Sequence, residues 1–347
     1  MQISPLKIAV VGAGLIGKKH IELVSSRARL HSIVDPLESA KALADSHDVL
    51  WFPDLAQCLE AGQPDGVIIA SPNAFHREHA KTCLTSGIPV LVEKPLTDSV
   101  TSGRDVVRCA HETGTPLLVG HHRRHSPIIK AASNILSDNR LGRLVSVNAI
   151  FWLNKPTDYF DATWRTKAGG GPTYINLIHD IDLLQHLCGP IASVQAREAN
   201  DVRGLEVEDT SAIIVSFANG ALGTIAVSDT ISAPWSWELT AGENPAYPKT
   251  DQSCYTIGGT KAALSLPDLR VWTHRGTQSW WSPIEIEQID VADLDPVAAQ
   301  FEHFLDVIAG KAAPLVTAED GLCNIEVLEA IKHAARSGTV VRVTPNE

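Results

Sequence analysis

The chain has 347 residues, 44% hydrophobic and 20% charged, with a formal net charge of −11. Such a composition builds a globular protein with a large core, and the length suggests two domains. The acidic balance excludes a nucleic-acid or anionic-membrane surface, which needs a basic face, and no apolar run is long enough to span a bilayer.

Strand and helix signals alternate through the first third. Residues 6–11, 30–34, 49–51, 66–70, 89–92 and 116–120 read as short apolar strands. Residues 15–26, 37–46, 54–61, 75–86 and 99–112 read as the helices between them. Apolar strands separated by amphipathic helices make a parallel sheet covered on both faces, the doubly wound Rossmann arrangement. After about residue 125 the pattern changes. A helix over 127–137 and a strand over 144–152 lead to Gly169-Gly170-Gly171 and a helix over 173–187. Strand signals follow at 193–199, 210–218, 221–229, 236–241, 253–257 and 261–266. Asn219-Gly220 marks a hairpin, and two helices, 296–309 and 318–336, close the chain. The fold class is therefore α/β: a Rossmann domain over 1–124, then an α/β domain over 125–347 with a large, mostly antiparallel open sheet.

The N-terminal apolar stretch reads as the first strand, without a signal peptide's charged start or small-residue cleavage site, so a cytoplasmic location is expected. The six cysteines (Cys58, Cys83, Cys109, Cys188, Cys254, Cys323) are scattered, as reduced thiols are, and suggest neither a disulfide frame nor a zinc site.

The first strand runs into Gly12-Ala13-Gly14-Leu15-Ile16-Gly17, a GxGxxG turn that opens a helix. Free backbone N–H groups and the positive end of a helix dipole meet there, which suits a pyrophosphate. Gly12 permits the turn, Gly14 lets phosphates approach, and Gly17 lets the helix pack against its strand. Asp35 ends the second strand, where a carboxylate accepts hydrogen bonds from ribose hydroxyls and repels a 2′-phosphate. NAD is the cofactor these residues favour, over NADP, because Pro36-Leu37-Glu38-Ser39 offers no arginine.

Ligands in an open parallel sheet bind beyond the carboxyl ends of the strands. Three segments leave the first domain there. Ser71-Pro72-Asn73, with His76 beyond it, can line the ribose and nicotinamide side. Glu93-Lys94-Pro95 puts a lysine at the end of a buried strand, where it can hold a hydroxyl and stabilise a developing alkoxide; the alternative is a lysine paired with a surface carboxylate. Pro95 would fix the direction of that projection, and a cis bond is one way to do so. The third is Gly120-His121-His122-Arg123-Arg124-His125. In the second domain the triple glycine precedes Asn176, His179, Asp180 and Asp182 at helical spacing. A histidine there can take the proton of an alcohol, or be a hydrogen-bonded core residue. Trp152, Lys155, Tyr159, Trp164, Arg165, Trp235 and Trp237 cluster around the glycine loop and the Pro234 turn. Tryptophan faces suit sugar C–H surfaces, and Arg123 or Arg165 could pair with a substrate carboxylate; core packing is the alternative for each. His76-x-x-His79 and His121-His122-x-x-His125 lack the further ligands a metal needs, so no metal is expected. The run Glu206-Val207-Glu208-Asp209 reads as a solvated loop.

In order, Gly12-x-Gly14-x-x-Gly17, Asp35, Ser71-Pro72-Asn73, Glu93-Lys94-Pro95, Arg123-Arg124, the triple glycine and His179-x-x-Asp182 resemble the glucose-fructose oxidoreductase/inositol dehydrogenase/MocA (Gfo/Idh/MocA) family. The resemblance covers essentially the whole chain. It implies an NAD(P)-dependent oxidoreductase of sugars, polyols or related diols, with Lys94 as active-site lysine and His179 as general base. It also implies a homodimer or homotetramer formed through the C-terminal sheet. Asn176, Arg123, Trp164, Arg165 and Asp180 are the expected substrate-binding residues. Gly12, Gly14, Leu15, Ile16, Gly17, Asp35, Ser71, Pro72, Asn73, His76, Glu93, Lys94 and Pro95 are the expected cofactor-binding residues. One departure stands out: inositol dehydrogenases commonly carry Asp four residues before the histidine, and here that position is Ile175. The other readings are a dehydrogenase of a carboxylated dihydrodiol or hydroxy acid, a glycosidase that recycles bound NAD, and an NAD-binding sensor without turnover.

Overall fold

The computed structural model describes residues 5–343. Its internal contacts divide the chain into two compact units: one runs to residue 122 and resumes over 297–325, the other covers 123–296 and the chain from 326.

In the first unit, β1 (Lys7–Val11), α1 (Leu15–Arg27), β2 (Arg29–Val34), α2 (Glu38–Ser46), β3 (Leu50–Phe52) and α3 (Leu55–Ala61) form one half of the wound sheet. β4 (Gly66–Ile69), α4 (His76–Thr85), β5 (Val90–Glu93), α5 (Val100–Thr113) and β6 (Leu117–Gly120) form the other. The strand order is β3-β2-β1-β4-β5-β6, and every pair is parallel. The order reverses direction between β1 and β4, the switch point at which such sheets bind dinucleotides. β4, β5 and β6 are buried at every position, which requires cover on both faces and explains their unbroken apolar sequences. Helix starts follow local chemistry: the Asp54 side chain accepts Gln57 N–H at 2.9 Å, and Ser99 Oγ accepts Ser102 N–H at 3.3 Å.

The second unit begins with α6 (Pro127–Ser137), whose preceding Ser126 accepts Ile128 N–H at 3.1 Å, and β7 (Leu144–Trp152). Two short 3₁₀ turns, Thr157–Asp161 and Thr163–Thr166, precede α7 (Pro172–Ile175) and α8 (Leu177–Cys188). Then come β8 (Ile191–Ala199), β9 (Thr210–Phe217), β10 (Leu222–Ser228), α9 (Trp237–Thr240), β11 (Tyr255–Gly259), β12 (Ala262–Leu266), β13 (Arg270–His274) and β14 (Ile284–Gln288). After α10 (Pro296–Ile308) and α11 (Ala318–Ser337), β15 (Val341–Arg342) joins the sheet edge. The order of the nine strands is β14-β13-β12-β11-β7-β10-β9-β8-β15, antiparallel except for β7 with β10. One sheet face, including Val147, Phe151, Ile213, Val215, Ile225 and Leu264, packs on α6, α8 and the end of α11.

Four expectations change. Residues 236–241 form no strand: Ser236 Oγ accepts Leu239 N–H at 3.3 Å and starts α9. The helix expected over 173–187 is broken at Asn176, whose φ is −107°. β13 and β14 extend the sheet beyond the strands read from sequence. A single cut at 124/125 also fails to describe the units, because 297–325 returns to the first. Phe301, Phe304, Leu322 and Ile325 join the first unit's core, and Val119 N–H donates to Val316 O at 3.0 Å. Five of the six cysteines are buried.

Candidate active site

In the first unit the turn after β1 has the geometry of a phosphate cradle. Gly12 has φ +97°, and a side chain there would lie 2.5 Å from Ala70 O. A side chain at Gly17 would lie 2.0 Å from Gly12 O, so α1 reaches its strand only with glycine there. A side chain at Gly14 would meet nothing within 4 Å, which leaves the backbone at the head of α1 open to a ligand. Leu15 is 90% exposed beside it, and Ile16 is also exposed. Asp35 Oδ2 accepts Ala13 N–H at 2.8 Å and Oδ1 accepts Leu37 N–H at 2.9 Å. These bonds fix the carboxylate beside the turn and leave lone pairs for ribose hydroxyls. The residues fit a bound NAD.

Ser71 is half-buried, its Oγ 3.0 Å from His79 Nδ1, and Pro72 and Asn73 are exposed at the same strand edge. Lys94 and Pro95, joined by a cis bond, are half-buried at the end of β5. Two members of the expected cofactor set have buried side chains. His76 is wholly buried, with both ring nitrogens facing backbone carbonyls, so it offers the cofactor no surface. Glu93 is 7% exposed and is engaged by His20 at 2.7 Å. Burial pushes its pKa up, but the His20 hydrogen bond and the charges of His20, His122 and Lys94 bring it below the ordinary value.

In the second unit, His179 lies on the first turn of α8, 8% exposed, and its N–H donates to Asn176 O at 3.1 Å. Asn176 sits at the helix break, half-buried, and its Oδ1 has no partner among the described residues. Trp164 is 58% exposed. Arg165 donates to Tyr159 O at 2.6 Å, and its guanidinium lies 4.0 Å from the centre of the Tyr159 ring. The ammonium of Lys155 lies 4.7 Å from the same ring and 3.5 Å from Asp229 Oδ2. Burial lowers the Lys155 pKa to about 8, against the pull of Asp229.

Arg123 and Asp180 are not exposed for substrate. Arg123 Nη2 donates to Glu238 at 2.5 Å, and Nη1 lies 3.4 Å from Asp180 Oδ1, which also accepts the Tyr255 hydroxyl. Burial lowers the Arg123 pKa, but Glu238 and Asp180 outweigh it and the net shift is upward. One guanidinium between two carboxylates leaves excess negative charge, and burial raises the Asp180 pKa to about 6 despite Arg123. Arg124 is held by Asp182 through Nε at 2.8 Å and Nη2 at 2.9 Å. Of the acidic run, Glu206 is exposed as expected, but Glu208 and Asp209 are buried and bonded. Glu208 accepts Thr173 N–H at 3.1 Å and Lys332 Nζ at 2.6 Å, and Asp209 accepts the N–H groups of Val202 and Arg203. A side chain at Gly171 would lie within 2.3 Å of the Glu208 carboxylate, so the last glycine of the triplet makes room for this bond.

The family model for the oxidoreductase family with an NAD-binding Rossmann fold matches residues 6–121, and that for its C-terminal alpha/beta domain matches 134–343. The chain belongs to the Gfo/Idh/MocA oxidoreductase family. Like other Gfo/Idh/MocA members it is an NAD-binding oxidoreductase. It is 23% identical to the rhizopine catabolism protein MocA of Rhizobium meliloti over 335 residues, 93% of each chain. It is 24% identical to the D-glucoside 3-dehydrogenase of Escherichia coli (strain K12) over 368 residues, 99% of each. The WlbA dehydrogenase from Bordetella pertussis, solved with NADH and UDP-GlcNAcA, superposes with a TM-score of 0.79 at 25% identity over 99% of this chain and 100% of that one.

Sequence reasoning missed His20, Glu238 and Tyr255. His20 follows Gly17 by three residues and so points one turn along α1, a spacing that could have drawn attention to it. Glu238 and Tyr255 meet Asp180 only through the fold and give no local signal.

Proposed function

We propose that this chain is a dehydrogenase that oxidises a carbinol of a sugar, polyol or cyclic diol with NAD. Lys94 holds the reacting hydroxyl and stabilises its alkoxide, and His179 takes the hydroxyl proton. Bound NAD supplies the acceptor for the hydride that leaves the carbinol carbon. Asp35 selects NAD by binding the ribose and repelling a 2′-phosphate. The observation that carries the reading is Lys94 at the carboxyl end of β5, on the strand edge where the open Gly14 backbone also lies. The names of the relatives support the substrate class. The test is NADH formation at 340 nm over a panel of sugars, inositols, sugar acids and dihydrodiols, with NAD and NADP in parallel. Turnover with NAD on one of these supports the reading. Silence across the panel, with NAD retained through purification, would favour a recycled cofactor instead.

A second reading, an acidic substrate, is favoured by Arg165. Arg123 and Arg124 are buried and committed to carboxylates of their own chain, whereas Arg165 Nε has no acceptor among the described residues. The WlbA structure, solved with UDP-GlcNAcA, supports it.

The proposal includes a homodimer or homotetramer formed through the sheet face turned away from the helices. Strand register places Ile286, Trp272, Ala263, Ser146, Leu222 and Ser216 in one row of that face, and Asn148, Thr224, Ile214 and Gln195 in the next. Nine strands span about 38 Å and present roughly 650–760 Å², close to one partner's share of a standard interface. None of these positions is acidic, in a chain with 40 Asp and Glu. A cytoplasmic location belongs to the same proposal.

A further inference from the structure

Two buried histidines brace the segment that carries Lys94, and neither has a role in the chemistry above. His20 lies on α1, and no part of it reaches solvent. Its Nε2 is 2.7 Å from Glu93 Oε1, and Glu93 Oε2 accepts the backbone N–H of Lys94 at 3.2 Å. This carboxylate therefore ties the helix that begins at the dinucleotide turn to the backbone of Lys94. Room for it is kept by Gly120 on the neighbouring strand, where a side chain would lie 3.0 Å from the Glu93 carboxylate. On the far side, His76 opens α4 with its ring nitrogens 2.9 Å from Pro95 O and 2.8 Å from Ser71 O. A neutral ring donates to one of these carbonyls at a time, and burial, opposed by both carbonyls and Glu93, holds its pKa below the ordinary histidine value. An apolar pair of similar volume would pack the same space without desolvating a carboxylate, so packing alone does not explain a buried Glu93.

We infer that His20, acting through Glu93, and His76, acting through Pro95 O, are positioning residues that hold Lys94 in register with the dinucleotide turn. The inference rests on the reading of Lys94 as the group that holds the hydroxyl.

The test uses His20→Leu, His20→Gln, His76→Leu and Glu93→Gln in the full chain, with two readouts. The first is steady-state kinetics with the NAD Kd measured alongside. His20→Leu should lower kcat about ten- to a hundred-fold, the scale of a hydrogen bond to a charged group, with substrate KM and NAD Kd within about twofold. His20→Gln, which keeps an N–H donor for Glu93, should recover most of that loss. The second readout needs no turnover: reductive methylation of Lys94 by formaldehyde and cyanoborohydride, followed by peptide mass spectrometry. Its rate relative to other lysines should change several-fold in His20→Leu and His76→Leu and return towards wild type in His20→Gln. Should His20→Leu fail to fold, Glu93→Gln, which keeps the shape and removes the charge, should change Lys94 labelling in the same way. Unchanged labelling and kcat in the folded variants would overturn the inference. So would a loss of NAD binding in step with kcat, since His20 would then belong to the cofactor site. A wild type that turns over nothing would sink the functional reading, while the labelling would still decide the positioning.

Discussion

The Arg123–Asp180–Glu238–Tyr255 network makes a prediction whose size follows from its geometry. Asp180 is 1% exposed and shares Arg123 with Glu238, and its pKa stands at about 6 against 3.8 for an ordinary aspartate. The folded chain therefore binds a proton more tightly than the unfolded one. Stability from this group is absent above pH 7, grows as pH falls through the folded pKa of about 6, and is complete below the unfolded value of 3.8. A full shift of that size corresponds to about 3 kcal/mol, of which roughly half is gained between pH 7.5 and pH 5. Asp180→Asn removes the titration and keeps an oxygen for the Tyr255 hydroxyl. Urea unfolding followed by tryptophan fluorescence, at pH 7.5 and pH 5, gives the difference between wild type and variant at each pH. Groups common to both cancel. Wild type should gain about 1 to 2 kcal/mol on the variant at the lower pH. A difference that stays constant, or moves the other way, would refute the picture of two carboxylates competing for one guanidinium.

Three further outcomes are expected. Asp35→Ser combined with Pro36→Arg should move cofactor preference towards NADP, read as the ratio of kcat/KM for the two cofactors; unchanged selectivity would remove Asp35 from the ribose site. Ile214→Glu, a charge at the middle of the exposed sheet face, should shift sedimentation towards monomer, and an unaltered profile would place the contact elsewhere. Arg165→Ala should raise KM for an acidic substrate by about ten-fold or more with little change in kcat, whereas equal effects on acidic and neutral substrates would argue against the acidic reading.

The Rossmann unit was legible because its signals are local. Short apolar runs alternate with helices in order, two of which, α3 and α5, start at a side-chain cap; in the second unit the bounds of α6 and β7 likewise follow from Ser126-Pro127 and the alternation over 144–152. Legibility failed where long-range contacts decide. Trp235-Ser236-Trp237-Glu238-Leu239 alternates like a strand, yet Ser236 caps a helix there. The helix over 173–187 breaks at Asn176, where no proline or glycine announces it. Ile284-Glu285-Ile286-Glu287 does alternate, but it is exposed on both faces, so no core signal accompanies it. The return of 297–325 to the first unit depends on partners more than 170 residues away, such as Val119 for Val316. Among candidate site residues, the places of the dinucleotide turn, Asp35 and Lys94 could be read because each follows directly on a strand end. The burial of Arg123, Asp180 and His76 could not, since a polar residue near a predicted site looks the same whether it faces a ligand or a buried partner. Only the packing separates the two.

The proposed chemistry stands on Lys94, so the most direct measurement is NADH formation by Lys94→Met beside wild type, on whichever panel substrate wild type oxidises, with the NAD Kd of both proteins. The expected result is a fall in kcat of about 10²- to 10⁴-fold with NAD Kd within about twofold. A Lys94→Met protein that forms NADH at the wild-type rate would contradict it.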